Sequence, residues 1–264
     1  MIKYIPAFVL LISASAADTV KVPFSDPSRP GTVKVSLING GITVKGYDGK
    51  EVLVEASSSE RHHRPAERTD GLHRIDMVGS GLNVEESENV IRIGTRSPND
   101  NASIVIQVPF ATSLKLSTVN GGSISVDQIR GDVELEDTNG SITATHISGS
   151  VIAHALNGKV LITFDEVKPN KPMSFNTLNG NIDVTLPGNT KANVKLKSDN
   201  GEVYTDFDIN LTSSGRQPTV EDSRSGKGKY RIQFDRGVFG TINGGGPDMS
   251  FTTFNGNVYL RKSK

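Results

Sequence analysis

Asn120-Gly121-Gly122-Ser123-Ile124, Asn139-Gly140-Ser141-Ile142 and Asn157-Gly158-Lys159-Val160 are three copies of one phrase. It consists of an Asn-Gly pair, one or two spacers, and a β-branched residue that opens a strict apolar–polar alternation. Further copies stand at Asn179-Gly180-Asn181-Ile182, Asn200-Gly201-Glu202-Val203 and Asn255-Gly256-Asn257-Val258. From Asn120 to Asn200 the steps are 19, 18, 22 and 21 residues. A fixed period of about 20 residues marks units that cannot bury a core alone and must stack. A second turn lies between consecutive phrases, clearest at Ile129-Arg130-Gly131-Asp132-Val133 and Ile147-Ser148-Gly149-Ser150-Val151. Each unit therefore holds two strands of about five residues.

Asn-Gly between alternating hydrophobics is ordinarily a hairpin signal, because both residues tolerate positive φ. In an antiparallel meander, however, alternate turns have no reason to share a sequence. In a coil the same turn recurs once per revolution, and stacked Asn side chains form a hydrogen-bonded ladder. The repeat predicts an all-β chain built as a parallel β-solenoid, with coils of about 20 residues in a single elongated domain. Alternation points Ile124, Val126, Ile142, Ala144, Val160, Ile162, Ile182, Val184, Val203 and Thr205 inward from the strands after Asn-Gly. The other strands add Val133, Leu135, Val151, Ala153, Phe175, Val194 and Leu196. Stacking in chain order sets Ile182 beneath Val203. It leaves the region before Leu114 and the Phe251–Leu260 strands to cover the ends.

These residues carry a family resemblance. The run Thr177-Leu178-Asn179-Gly180-Asn181-Ile182-Asp183-Val184-Thr185-Leu186-Pro187 resembles the bacterial β-strand-repeat family of unknown function that goes by the label "putative adhesin". So do Ile104–Pro109 followed by Leu114–Gly121, and Gly244-Gly245-Gly246 with Thr253–Val258. The resemblance covers roughly residues 32–264 and is carried by the number and order of degenerate motifs. It implies a β-helix-like fold and an envelope or surface location, and it brings no catalytic residues with it.

The start of the chain reads as a secretory signal peptide over residues 1–16, with Lys3, an apolar stretch at Ile5–Ile12 and an A-x-A site at Ala14-Ser15-Ala16. That apolar stretch is too short to span a bilayer, and no other stretch approaches the required length. Residues 17–31, with Pro23, Pro27, Pro30 and Gly31, read as an irregular lead-in, and 32–264 as the repeat domain. Its clearest repeats run over 120–207. A first copy of the phrase stands at Asn39-Gly40-Gly41-Ile42, a polar loop at Ser57–Gly71, strands around His73–Val78, and a polar excursion over 210–228. With no cysteine there is no lipid-attachment thiol, disulfide or thiolate metal site. The expected location is the periplasm, the cell surface or the extracellular space.

Net charge is zero, with 29 basic and 29 acidic residues, which disfavours the sequence-independent attraction to nucleic acid. His62-His63 lacks a carboxylate or third His at ligand spacing, so no metal and no cofactor are expected. Asp132, Glu134, Glu136 and Asp137 form the densest acidic cluster. On this alignment the positions one coil above them are Ser150, Ile152, His154 and Ala155, so no Arg or Lys joins the cluster to stabilise developing charge. No catalytic residue is assigned.

The surface reading rests on the outward positions after each Asn-Gly. Thr143, Thr145, Thr163, Thr185 and Tyr204 line a strip of short side chains with one aromatic, spaced at about 4.8 Å per strand. Such a strip can hydrogen-bond to and stack on an extended glycan, while Thr also simply favours exposed strand positions. The expectation is a non-catalytic envelope protein with a binding or structural role. Its partner would be an envelope or extracellular glycan or a surface protein. A glycan-active lyase or hydrolase on the same scaffold is the alternative, and a component of envelope stress sensing a third.

Overall fold

The computed structural model describes residues 19–58, 81–95, 102–168, 170–212, 219–222, 230–233 and 237–263. The proposed signal peptide, His62-His63 and the strands expected around His73–Val78 lie outside these residues. All regular structure described is strand. The first strands are β1 (Thr19–Pro23), β2 (Thr32–Asn39), β3 (Ile42–Tyr47), β4 (Glu51–Ser58), β5 (Leu82–Ser87), β6 (Val90–Thr95), β7 (Ala102–Pro109) and β8 (Ser113–Asn120). The repeat region holds β9 (Ile124–Asp127), β10 (Val133–Asp137), β11 (Ile142–Ile147), β12 (Val151–Ala155), β13 (Val160–Phe164), β14 (Met173–Asn179), β15 (Ile182–Leu186), β16 (Ala192–Asn200) and β17 (Val203–Thr205). Then come β18 (Ile209–Leu211), β19 (Thr219–Asp222), β20 (Tyr230–Gln233), β21 (Val238–Ile242), β22 (Asp248–Asn255) and β23 (Val258–Lys262).

Two large sheets face each other across one continuous apolar core. Sheet A has the order β1-β4-β7-β3-β9-β11-β13-β15-β23-β17, and sheet B the order β18-β21-β16-β22-β14-β12-β10-β8-β2-β6-β5. From β8 to β16 the chain alternates strictly between the sheets, and up to β15 each strand pairs in parallel with its equivalent one unit away. The register stacks Ile124 on Ile142, Ile142 on Val160 and Val160 on Ile182. In sheet B it stacks Leu135 on Ala153 and Ala153 on Phe175. These inward residues are buried, as alternation demands, whereas Val203 is half-buried and Thr205 exposed in the outermost strand of sheet A. The ends of the parallel stack carry antiparallel strands: β1, β4 and β5 at one end, β18 and β21 at the other.

The Asn side chains form a ladder along one corner. Asn139 Nδ2 donates to Asn120 Oδ1 (2.8 Å), Asn157 to Asn139 (3.0 Å) and Asn179 to Asn157 (2.8 Å). Asn255 then donates to Asn179 (2.7 Å) and Asn200 to Asn255 (2.9 Å). At Gly140 and Gly158 the glycine of the phrase is needed for a different reason than a hairpin would require. A Cβ on Gly158 would lie 1.9 Å from the carbonyl oxygen of Gly140, and one on Gly140 would lie 2.0 Å from that of Gly122. Neither residue has a positive φ; the close approach of stacked backbones excludes a side chain there.

The structure corrects three expectations. Val203 does not stack on Ile182, because β22 and β23 enter between the units: β23 pairs with β15 on one side and β17 on the other, and β22 likewise with β14 and β16. Val258 thus separates Ile182 from Val203. Phe251–Leu260 is an interior layer and not an end cover, and the reason is core filling. Phe251 stacks on Phe175 with centroids 4.9 Å apart, and Phe175 meets Phe164 edge-on at 6.3 Å. Residues 17–31 are not wholly irregular, since β1 pairs antiparallel with β4 by setting Val20 and Val22 opposite Val54 and Val52. The 210–228 excursion contains β19, which forms a two-stranded antiparallel ladder with β20.

Candidate functional site

The outer face of sheet A carries the Thr strip. The register joins Ser125, Thr143, Leu161 and Asp183 in one row, then Tyr259 and Tyr204. In the second row Asp127 pairs with Thr145, and Thr163 with Thr185, which is followed by Arg261. Thr143, Thr145, Thr163 and Thr185 are half-buried and point outward, and Tyr204 is exposed. Tyr204 therefore does not adjoin Thr185. The Tyr259 and Arg261 side chains stand between, because β23 does.

That insertion builds the most organised part of the face. Tyr204 and Tyr259 stack with centroids 5.2 Å apart and 9° between planes. Arg261 lies over the Tyr259 ring at 5.1 Å and donates Nε and Nη2 to the two carboxylate oxygens of Asp183, at 2.8 and 3.1 Å. Asn257 Nδ2 donates to the Tyr259 hydroxyl (3.0 Å), and the Tyr204 hydroxyl donates to Glu202. That hydrogen bond holds the Tyr204 phenol above its ordinary pKa. The signal for Tyr259 was present in the copy Asn257-Val258-Tyr259, which aligns position for position with Glu202-Val203-Tyr204 after the Asn-Gly and shares its Val-Tyr. Placing that copy at the end of the stack hid it.

The strip is also more charged than a row of hydroxyls. Thr145 Oγ1 donates to Asp127 Oδ1 (2.8 Å), and His146 Nδ1 lies 2.8 Å from the same oxygen. Partial burial pushes the Asp127 carboxyl up, but the His146 and Thr145 hydrogen bonds outweigh it and hold the group below its ordinary pKa. The Asp127 hydrogen bond and the nearby Asp165 charge raise His146. His146 has φ 53°, at the point where the β11–β13 register slips between Ala144 and Ile147. Beside it an open hollow of about 210 Å³ is lined by Phe110, Gln128, Arg130, His146, Ser148 and Asp165. The Arg130 guanidinium lies 4.8 Å from the Phe110 ring centroid.

The acidic cluster divides. Glu134 and Glu136 point outward with Lys115 2.7 Å from Glu134, and Asp132 is ion-paired with Lys171 and accepts from Ser150 Oγ at 2.8 Å. Both lysines escaped a search of the coil above, since Lys115 lies in the coil below and Lys171 in a connecting segment. Asp137 turns inward and is 3% exposed. His154 sits over Glu136, as the alignment required. Among the described residues no three His, Asp or Glu side chains converge as metal ligands, and no helix is long and apolar enough to cross a membrane.

A family model described as Toastrack DUF4097 matches residues 11–239. The chain belongs to the Toastrack family. A solved structure similar to this Toastrack chain is that of a "putative cell adhesion protein" from Clostridium sporogenes, at 14% identity and TM-score 0.51, covering 93% of this chain and 99% of that one. A "putative adhesin" from Bacteroides fragilis is similar at 9% identity and TM-score 0.38, covering 95% and 98%. At these identities the first likeness speaks to the fold alone and the second carries no argument. No curated protein matches.

Proposed function

We propose that this Toastrack protein is an exported, non-catalytic binding module of the bacterial envelope or surface, built as a parallel β-solenoid whose walls are the two sheets. The solenoid reading is supported by the strict alternation between sheets, the near-constant register and the Asn ladder. The partner class is an envelope or extracellular glycan, taken up along the outer face of sheet A.

The single observation that carries this reading is the stacked Tyr204–Tyr259 pair at the open edge of the Thr strip. Tyr259 is covered by the Tyr204 ring on one side and by Arg261 on the other. The outer face of Tyr204, held by its hydrogen bond to Glu202, is therefore the ordered aromatic face open to a sugar, with little side-chain freedom to lose on binding. Thr163, Thr185 and the Asp183–Arg261 pair continue the hydrogen-bonding surface beside the two rings. A mostly flat outer face suits an extended polymer better than a small molecule, which needs concavity. The test compares wild type with Thr163→Lys/Thr185→Lys and with Tyr204→Ala/Tyr259→Ala in cell-wall and glycan pull-down, after circular dichroism shows an intact fold. Loss of capture by at least about tenfold in the tyrosine variant is expected, in line with stacking worth over about 1 kcal/mol per ring. Equal capture by all three proteins refutes this face, and release of shortened glycan during the assay refutes the non-catalytic role.

A further inference from the structure

The Asn-Gly phrase carries a chemistry of its own, and the stack exposes its copies to it unequally. Asparagine before glycine deamidates readily, because no side chain hinders the following main-chain nitrogen and the glycine backbone turns freely. Asn200 and Gly201 form one of eight such pairs in the chain. In each, the Asn side chain must swing onto the next nitrogen, so the rate follows local opening. Seven pairs are held. Asn139, Asn157, Asn179 and Asn255 each donate Nδ2 to one neighbour in the ladder and accept at Oδ1 from the next. Asn120 accepts from Asn139, and its strand β8 lies between β2 and β10. At Asn39 the Ala102 carbonyl oxygen closes the corner, 2.1 Å from the place of a Cβ on Gly40. Asn243 donates Nδ2 to the carbonyls of Gly188 and Thr190, at 3.1 and 2.7 Å.

Asn200 is the exception. It donates to Asn255 Oδ1 at 2.9 Å but, as the last rung, its own Oδ1 accepts no hydrogen bond among the described residues. The Gly201 N–H likewise has no acceptor among them, whereas the Gly180 N–H donates to the Asn255 carbonyl at 2.9 Å. β21 covers β16 only over Ala192–Leu196, and β17 is the outermost strand of sheet A. The end of β16 and all of β17 therefore have a strand partner on one side only, in β22 and β23. Asn200, Gly201 and Glu202 are all exposed. Fewer contacts hold this corner shut than any inner one, and it opens at the lowest cost.

We infer that Asn200-Gly201 is a self-modification site, at which the folded chain converts Asn200 to aspartate and isoaspartate with water as co-reactant. Hydroxide takes the Gly201 N–H proton, and the nitrogen attacks Asn200 Cγ. The N–Cγ bond forms, the Cγ–Nδ2 bond breaks, and Nδ2 leaves as ammonia with a proton from water. One water then opens the cyclic imide. Cleavage at Cγ restores the main chain with aspartate; cleavage at the Asn200 main-chain carbonyl reroutes the chain through the side chain as isoaspartate. Nothing is oxidised or reduced. Either product ends the rung, since a carboxylate oxygen replaces the Nδ2 that stood 2.9 Å from Asn255 Oδ1. Isoaspartate also lengthens the main chain by one methylene just ahead of β17. The corner has no room to absorb it, because the Gly256 carbonyl oxygen lies 2.1 Å from the place of a Cβ on Gly201. The shift passes to Val203–Thr205 and draws Tyr204 off Tyr259. The pair is thus a one-way timer on that stack, whatever the ring binds.

The test ages the purified protein in mildly alkaline buffer, with and without urea, and follows all eight pairs by peptide mass spectrometry. Unfolded chain gives each pair its own reference rate, so the ratio of the two rates isolates what the fold contributes. Asn200 should be the least protected. The inner ladder asparagines should be slowed about fivefold or more beyond it, the weight of one further hydrogen bond. Any other pair converting with less protection than Asn200 overturns the proposal. So does a native sample in which all eight stay amidated after the urea sample has converted. The chain has five tyrosines and no tryptophan, so near-ultraviolet circular dichroism reads the tyrosine environment. That signal should change in step with isoaspartate at 200 and hold steady in Asn200→Ser. A wild-type signal that stays constant through full conversion refutes the effect on Tyr204.

Discussion

At the scale of single residues, one column of sheet B shows how stacking imposes chemistry. Thr118, Thr177 and Thr253 each face inward at the corner and donate Oγ1 to a glycine carbonyl one layer below, at 2.9, 2.8 and 2.9 Å, and Ser198 does the same at 2.7 Å. Asp137 occupies this column in β10 and, when ionised, has no proton to donate. Burial raises its carboxyl to a pKa of about 6, although the Asn139 and Gly140 N–H groups pull it down partway, and neither oxygen has a partner at good hydrogen-bond geometry. The fold thus favours the protonated acid, which can donate as threonine does. The raised pKa means that this stabilisation is full below about pH 3.8 and is lost as pH rises through about 6. Its upper bound is roughly 3 kcal/mol. Asp137→Thr should therefore raise stability at pH 7.5 and flatten the pH dependence between 4 and 6, measured by urea unfolding. An unchanged slope in the variant would contradict the assignment.

At the scale of elements, alternation was legible wherever the Asn-Gly phrase was intact. Every inward residue of β9 to β15 named from the sequence is buried, because a period of two leaves no other face for Ile142 or Val160. Layer order was not legible. Asn200-Gly201-Glu202-Val203 and Asn255-Gly256-Asn257-Val258 satisfy the same local rules, and only packing against Phe175 decides which lies next to β14. The Thr strip was read correctly as outward, while its tyrosine partner and its ion pairs depended on that same decision. Phe251 is the arbiter. Phe251→Ala should cost about 3–5 kcal/mol, since it is fully buried and flanked by paired strands on both sides. Leu196→Ala, nearer the end of the stack, should cost less, about 2–3 kcal/mol. Thermal or urea melts of the two variants check this order, and a reversed order would mean that the β22 layer is not the keystone of this half.

At the scale of the whole molecule, neutral overall charge conceals organisation by face. Sheet A gathers aromatic, hydroxyl and paired ionic groups on its outer side, whereas β12, β14 and β22 of sheet B turn Ile152, His154, Ser174, Asn176, Ser250 and Thr252 outward. Antiparallel strands cover both sheets at the β1 and β5 end and sheet B at the β18 end, while sheet A finishes on the short parallel strand β17.

The interior position of β22 and β23 has a kinetic meaning. The strands on either side of this layer, β14–β15 and β16–β17, precede it in the chain. They carry the same Asn-Gly phrase, so β16 can dock directly on β14 with its asparagine continuing the ladder. That premature closure is the arrangement chain order alone anticipates, and it must reopen before residues 248–262 can enter. The molecule thus contains its own decoy, a near-native stack one layer short, of the kind that slows folding of repeat proteins. Pulse-labelled hydrogen exchange during refolding should protect β16 amides before those of β22. Simultaneous protection would show that the slot is held open until its last layer arrives.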